Sequence, residues 1–334
     1  MTPLPVAELH VHVEGTLEAE LLVSLARRNG VALPTYDPVA LAGRYRHFTN
    51  LQSFLDVYYA NLAVLRAEED FYDLMAAYLR RAAAAGVRRA EVFFDPQTHL
   101  NNGIGFETMV NGLSAAAQDA PIAADLILCF LRDLGPEAAE ETLRAALPFR
   151  EHFIGVGLDS AEVGHPPRLF KRVYEMAAGE GLHKVAHAGE EAGPDYVWEA
   201  LDVLGVERID HGVRALADPE LVARLRAERV PLTVCPLSNL CLKGVSSLSE
   251  HPLKAMLDAG LLVTVNSDDP AYFGGHVDDN FAAVRSALSL TDEDLRQLAR
   301  NSFEASFIDD GEKKRWQDAV DAFPLSQCSA GKPV

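Results

Sequence analysis

Short apolar runs recur along the chain, and several end in a polar or charged residue followed by glycine or proline. They read VAELHVHVEG at 6–15, RAEVFFDP at 89–96, ADLILCFLRD at 124–133, FIGVGLDS at 153–160, HKVAHAGE at 183–190, ERIDHG at 207–212, PLTVCPLSN at 231–239 and LVTVNSDDP at 262–270. Runs this short, bounded by turn residues, suit strands buried on both faces. Between them lie stretches rich in Ala, Leu, Glu and Arg with helical spacing, at 106–118, 136–148, 168–180, 194–204, 218–228 and 251–259. Strand alternating with helix predicts a parallel sheet, and eight such units predict an α/β fold of the (β/α)8, TIM-like barrel type.

The first connection breaks this rhythm. Residues 13–88 are too long for one crossover helix and hold helical patterns near 17–30 and 50–86, so the segment is expected to cap the barrel mouth as a helical insertion. Its aromatic stretch FLDVYYANL at 54–62 reads first as a packed helix face and second as a ring covering a bound molecule. Two more helical patterns fill 278–307, and the stretch 325–334, LSQCSAGKPV, has the composition of a tail. A chain of 334 residues with 49% hydrophobic content can bury one large core, which predicts a single domain spanning 1–334.

Lys and Arg number 30 against 49 Asp and Glu, a formal charge of −19. Such a surface repels phosphate backbones and anionic lipid, which argues against nucleic acid and membrane as partners and for a neutral small molecule. No run reaches the 18 or so apolar residues of a membrane span, and MTPLPVAELHVHVEG has no basic flank ahead of an apolar stretch, so the expected location is the cytoplasm. Cys129, Cys235, Cys241 and Cys328 lack paired spacing and read as reduced thiols, the first two as inert core residues. The sequence leaves the oligomeric state open.

In a barrel of this kind catalytic groups sit at the carboxyl ends of the strands. His10 and His12 end the first run, His187 the fifth, His211 the sixth, and Asp268 and Asp269 follow the eighth. Spaced two apart on a strand, His10 and His12 point to one face, the barrel interior. With His187 and Asp268 they form a three-nitrogen, one-oxygen set suited to Zn2+, although iron, cobalt and manganese accept the same donors. Glu190 lies three residues past His187. Read singly, each has an ordinary alternative: a hydrogen-bonded strand-end histidine, a turn aspartate, a solvated loop glutamate. His99, His165 and His276 fall in loops and read as surface or supporting groups.

The segments ELHVHVEGTLE, VAHAGE, RIDHGV, CPLSN and VNSDDP, in that order, closely resemble the adenosine and adenine deaminases among the metal-dependent amidohydrolases. The resemblance implies one zinc ion held by His10, His12, His187 and Asp268, Glu190 as proton donor to the purine, His211 beside the metal-bound water, and Asp269 touching substrate and water. Glu14 in HVHVEG, FFDPQTH at 93–99 and VGLDSAEVGHPP at 156–167 resemble adenine deaminases of bacteria and fungi more than adenosine deaminases. Ungapped counting places Glu162 where adenosine deaminases carry a glycine that meets purine N3. A carboxylate there is expected to accept the N9 hydrogen of free adenine, which a nucleoside lacks. The expected reaction is hydrolysis of adenine to hypoxanthine and ammonia. The alternatives are adenosine or another 6-aminopurine nucleoside such as aminodeoxyfutalosine and, in a different class, a non-catalytic purine-binding protein.

Overall fold

The computed structural model describes residues 3–45 and 48–324; the expected tail at 325–334, with Cys328, lies outside them. Eight strands form one parallel sheet in sequence order: β1 (Val6–Glu8), β2 (Val87–Phe94), β3 (Ala123–Leu131), β4 (Gly155–Asp159), β5 (His183–Ala188), β6 (Arg208–His211), β7 (Pro231–Val234) and β8 (Leu262–Val265). Helices connect successive strands, and the sheet curls until β8 approaches β1. The closing seam is irregular. Asp268 N–H donates to His10 O (3.1 Å), His12 N–H donates to Asp268 O (3.0 Å), and the Asn266 side-chain oxygen accepts from Leu9 N–H (2.9 Å). The expectation that His10 and His12 lie on a strand is met only in conformation. The β1 ladder stops at Glu8, and the chain continues extended, bridging Val11 to Asp268 and His12 to Phe93.

Side-chain alternation divides the core in two. Phe93, Ile127, Cys129 and Val185 fill the barrel interior, while Val92, Phe94, Leu126 and Leu128 face the outer helices. The amino-terminal end of the barrel is sealed by a buried Glu91–Arg208 ion pair, with the Arg208 guanidinium 4.6 Å over the Phe307 ring. Cys129 and Cys235 are fully buried, and burial pushes both thiols well up from their ordinary pKa.

The long first connection holds α1 (Ala19–Asn29), α2 (Pro38–Arg44), α3 (Leu51–Asn61) and α4 (Glu68–Ala85). Only part of it is a cap. α3 crosses the carboxyl-terminal mouth of the barrel, whereas α4 packs on the helix Phe106–Gln118 in the outer layer and passes through Gly86 (φ 104°) straight into β2 at Val87. The α4 start is fixed by Asp70, whose carboxylate accepts from Arg66 and Ala67 N–H, both at 2.9 Å. Among the described residues no helix is long and apolar enough to cross a membrane.

Candidate active site

Every strand-end group named from the sequence meets at the carboxyl-terminal face. The ligand atoms of His10, His12, His187 and Asp268 all lie within 4.8 Å of one another, and all four residues are buried. His10 Nε2 is 3.3 Å from Asp268 Oδ1, His12 Nε2 is 3.6 Å from the same oxygen, and the Nε2 atoms of His12 and His187 are 3.3 Å apart. Two donors at ordinary Zn–N lengths around a tetrahedral ion are about 3.3–3.4 Å apart. Facing lone pairs at that spacing repel unless a cation lies between them, so the donor set fits a metal ion. His10 Nε2 has no hydrogen-bond partner among the described residues, as a ligand atom requires.

The outer faces of the rings are also arranged for ligation. His10 Nδ1 is 3.2 Å from the Thr233 carbonyl oxygen and 2.9 Å from its hydroxyl. A carbonyl only accepts, so the proton is assigned to Nδ1 and the lone pair to Nε2. Asp210 stands behind His10 and His187, its oxygens 3.9 and 3.7 Å from their Nδ1 atoms, and Asp159 stands 3.5 Å behind His12 Nδ1. Carboxylates in this position fix ring orientation and raise donor basicity. Asp268 and His211 adopt the left-handed backbone region at φ 65° and 63°, at a cost of about 1–3 kcal/mol each for a non-glycine residue. The turns that carry these side chains inward are held by the fold against that preference.

Glu190 and His211 flank the ligand set: His211 Nε2 is 3.6 Å from Glu190 Oε1 and 3.7 Å from Asp268 Oδ2. Burial, with the charges of Asp268, Glu162 and Glu191 adding to it, raises the Glu190 pKa well above the usual carboxylate value. Burial and the nearby His10 push the His211 imidazole down to about 3, so it is neutral at physiological pH. Its tautomer follows from a chain of bonds. Leu253 N–H donates to His251 Nδ1 (3.1 Å), leaving Nε2–H to donate to Asn239 Oδ1 (3.1 Å), which turns the Asn239 amide nitrogen to His211 Nδ1 (3.5 Å). The remaining ring proton of His211 is thereby assigned to Nε2, facing Glu190 and Asp268. Asp269, raised well above its ordinary pKa by burial and by Asp268, fits only because residue 15 is glycine: a Cβ there would lie 1.9 Å from its Oδ1.

Glu162 is not brought to this group as expected. It is fully buried, its Oε1 accepts from Gly189 N–H (2.7 Å), and its Oε2 accepts from the N–H groups of Glu190 (3.1 Å), Glu191 (2.7 Å) and Ala192 (2.9 Å). With four backbone donors on two oxygens, the carboxylate organises the turn that carries Glu190 and does not face the pocket. The expected contact between Glu162 and the purine is corrected accordingly.

The cleft over the ligand set is open to solvent and leaves about 40 Å³ for water-sized occupants. Its floor and one wall are His12, His187, Glu190, His211, Asp268 and Asp269; α3 contributes Leu51, Phe54, Leu55, Tyr58 and Tyr59; Asp95, Asp159, Ser160, Leu242 and Phe273 complete it. The aromatic stretch at 54–62 therefore serves both as a packed face and as a pocket wall. Asp95 and Asp159 were missed as site residues, although FFDP and GLDS end strands as the histidine motifs do. His99, read as a surface or supporting group in a loop, instead lies buried on the short helix Pro96–Asn101 and binds Glu14 (3.0 Å); His165 bonds Ala161 O (2.9 Å), and His276 bonds Glu18 (3.1 Å).

Residues 5–323 match the family model described as adenosine deaminase. An adenine deaminase of Streptomyces coelicolor is 62% identical over 319 residues, covering 94% of each chain. The crystal structure of an adenine deaminase from Arthrobacter aurescens superposes with a TM-score of 0.93 at 53% identity, covering 95% of this chain and 98% of that one. A Burkholderia ambifaria amidohydrolase crystallised with bound Zn superposes with a TM-score of 0.87 at 30% identity, covering 95% and 90%. With a nearly closed parallel barrel, a buried His–His–His–Asp metal-binding group at its carboxyl-terminal face and a family match across almost its whole length, this chain belongs to the adenosine deaminase family.

Proposed function

We propose that the chain hydrolyses the exocyclic C6–N bond of adenine, yielding hypoxanthine and ammonia, with one zinc ion held by His10, His12, His187 and Asp268. The observation that carries the reading is Glu190: a buried carboxyl whose pKa burial raises well above the ordinary carboxylate value, beside a neutral imidazole and a metal-binding group. The relatives at 54–62% identity that bear the name adenine deaminase support the choice of base. A zinc ion bound there supplies a water acidified towards neutral pH as the nucleophile. Glu190 gives its proton to ring N1, drawing electron density from C6. His211, with N–H at Nε2, orients the attacking oxygen and stabilises the charge that grows on it. Asp269, made more basic by burial, takes the proton released in the attack and passes it to the departing amine. The hydroxyl proton left at C6 restores Glu190 as the carbonyl forms.

The test is ammonia release from adenine and adenosine in parallel, with metal content measured on the same sample. Release from adenine by protein holding about one metal per chain is expected. A kcat/KM for adenosine equal to or above that for adenine, or undiminished turnover by fully stripped protein, would overturn the proposal.

A further inference from the structure

We propose that Asp95 makes the site selective for a free base, its unpartnered carboxylate oxygen accepting the N9–H of the purine. This rests on the adenine-deaminating reading above and names the residue that reads the far edge of the substrate.

The argument begins with donors and acceptors. Three buried carboxylates, Glu14, Asp95 and Asp159, cluster where β2 and β4 end, and the nearest protein donor faces one oxygen of each. Glu14 Oε1 accepts from Asp95 N–H (3.1 Å) and His99 Nε2 (3.0 Å). Asp95 Oδ2 accepts from the Tyr58 hydroxyl (3.3 Å). Asp159 Oδ2 faces the single Nδ1–H of His12 at 3.5 Å, nearer than Asp95 Oδ1 at 3.9 Å. The second oxygens, Glu14 Oε2, Asp95 Oδ1 and Asp159 Oδ1, are buried without a partner among the described residues. A buried carboxylate oxygen left unpaired is costly, so the cluster calls for a donor from outside the protein.

Position selects Asp95. Glu14 does not line the cleft, whereas Asp95 and Asp159 do, and Asp159 orients the ligand His12. Both aspartates stand on the Nδ1 side of His12, the side turned away from the metal-binding group. In a purine, N9 and the C6 amine lie at opposite ends of the fused ring. With N1 at Glu190 and C6 at the metal-binding group, the five-membered ring therefore extends away from that group, towards this cluster. Adenine presents N9–H there. A nucleoside has no donor at N9, leaves the oxygen unpaired, and must place a sugar between Asp95 and the Tyr58 and Tyr59 side chains of α3.

The same unit joins two stretches far apart along the chain. Glu14, in HVHVEG, grips the backbone of Asp95, in FFDPQTH, and His99 from the latter stretch closes the unit on Glu14.

The test compares adenine with 9-methyladenine, which lacks the N9 hydrogen and carries no sugar, in wild type, Asp95→Asn and Asp95→Ala, read as kcat/KM, or as the competitive inhibition constant where the methylated base is not turned over. In Asp95→Asn the Tyr58 hydroxyl keeps the amide oxygen, and the NH2 meets N9–H donor to donor. The ratio of adenine to 9-methyladenine is expected to fall roughly 10- to 100-fold in both variants with bound metal unchanged, the loss falling on adenine. An unchanged ratio, including a parallel loss on both substrates, would mean that Asp95 only supports His12 and would overturn the inference. Metal-loaded wild type inactive on adenine would overturn the deaminase reading; wild type active on adenine with a ratio insensitive to residue 95 would overturn the inference alone.

Discussion

Glu162→Gln tests how the turn after β5 is built. The carboxylate holds four backbone N–H groups at 2.7–3.1 Å in a fully buried position. Glutamine keeps one acceptor oxygen, which serves best in the place of Oε2 with its three donors. The Gly189 N–H then faces an NH2 group and is stranded, at about 1–3 kcal/mol. The three retained bonds drop from charge-assisted to neutral strength, at about 1 kcal/mol each or somewhat less. The sum, about 4 kcal/mol, lowers the melting temperature by roughly 5–6 °C for a chain of this size. Turnover falls as well, because Glu190 loses its backbone anchor. The ratio of adenine to adenosine kcat/KM is expected to stay at the wild-type value, since the carboxylate does not reach the pocket. Thermal unfolding and parallel kinetics on the two substrates measure all three quantities. A ratio shifted towards adenosine at unchanged melting temperature would show that Glu162 meets the substrate and would refute the reasoning.

The role proposed for Glu190 needs its protonated form, and its pKa is raised, so kcat/KM should hold at lower pH and fall as pH rises through that pKa. Removing the Glu162 charge, one of the causes of the rise, should move this limb to lower pH, and a limb that stays put would exclude Glu190 as its source. Glu190→Ala and His211→Ala should keep the metal yet lose turnover by about 10²- to 10⁴-fold; near-normal rates in either variant would remove that residue from the mechanism. His251→Leu breaks the chain that fixes the His211 tautomer and should cut kcat about tenfold or more without metal loss, whereas His251→Gln, which keeps a donor for Asn239, should recover most of it; equal rates in the two variants would show that the chain is only packing. Gly15→Ala places a methyl carbon 1.9 Å from Asp269 Oδ1 and should displace that carboxylate, abolishing most turnover at normal metal content; a variant of wild-type rate would mean that Asp269 can move without consequence.

The ligand set was legible because barrel topology turns a one-dimensional observation into a spatial one. Groups at the carboxyl ends of parallel strands share a face whatever their separation along the chain, so His10, His12, His187, His211, Asp268 and Asp269 could be placed together before any contact was known. Asp95 and Asp159 obey the same rule, but aspartate before proline or serine is also ordinary turn chemistry, and nothing local marks it as part of a pocket. The boundary of the first insertion was blurred for a related reason. α3 and α4 share one helical pattern, and only packing decides that α3 crosses the mouth while α4 joins the outer layer.

What the amino-acid order determined by itself was therefore the repeating strand and helix plan, the end of the barrel that carries the chemistry, and the convergence there of the strand-end histidines and carboxylates, because each follows from periodicity and strand direction; the division of that group into metal donors and neighbours came from the resemblance to a known family. Tertiary structure alone decided where each carboxylate is aimed. Glu162 folds back onto the N–H groups of residues 189–192, and Asp95, held at its backbone by Glu14 from another strand end, is among the residues that line the pocket. An acceptor goes to whichever donors lie nearest in space, and for these side chains the donors come from segments far away along the chain.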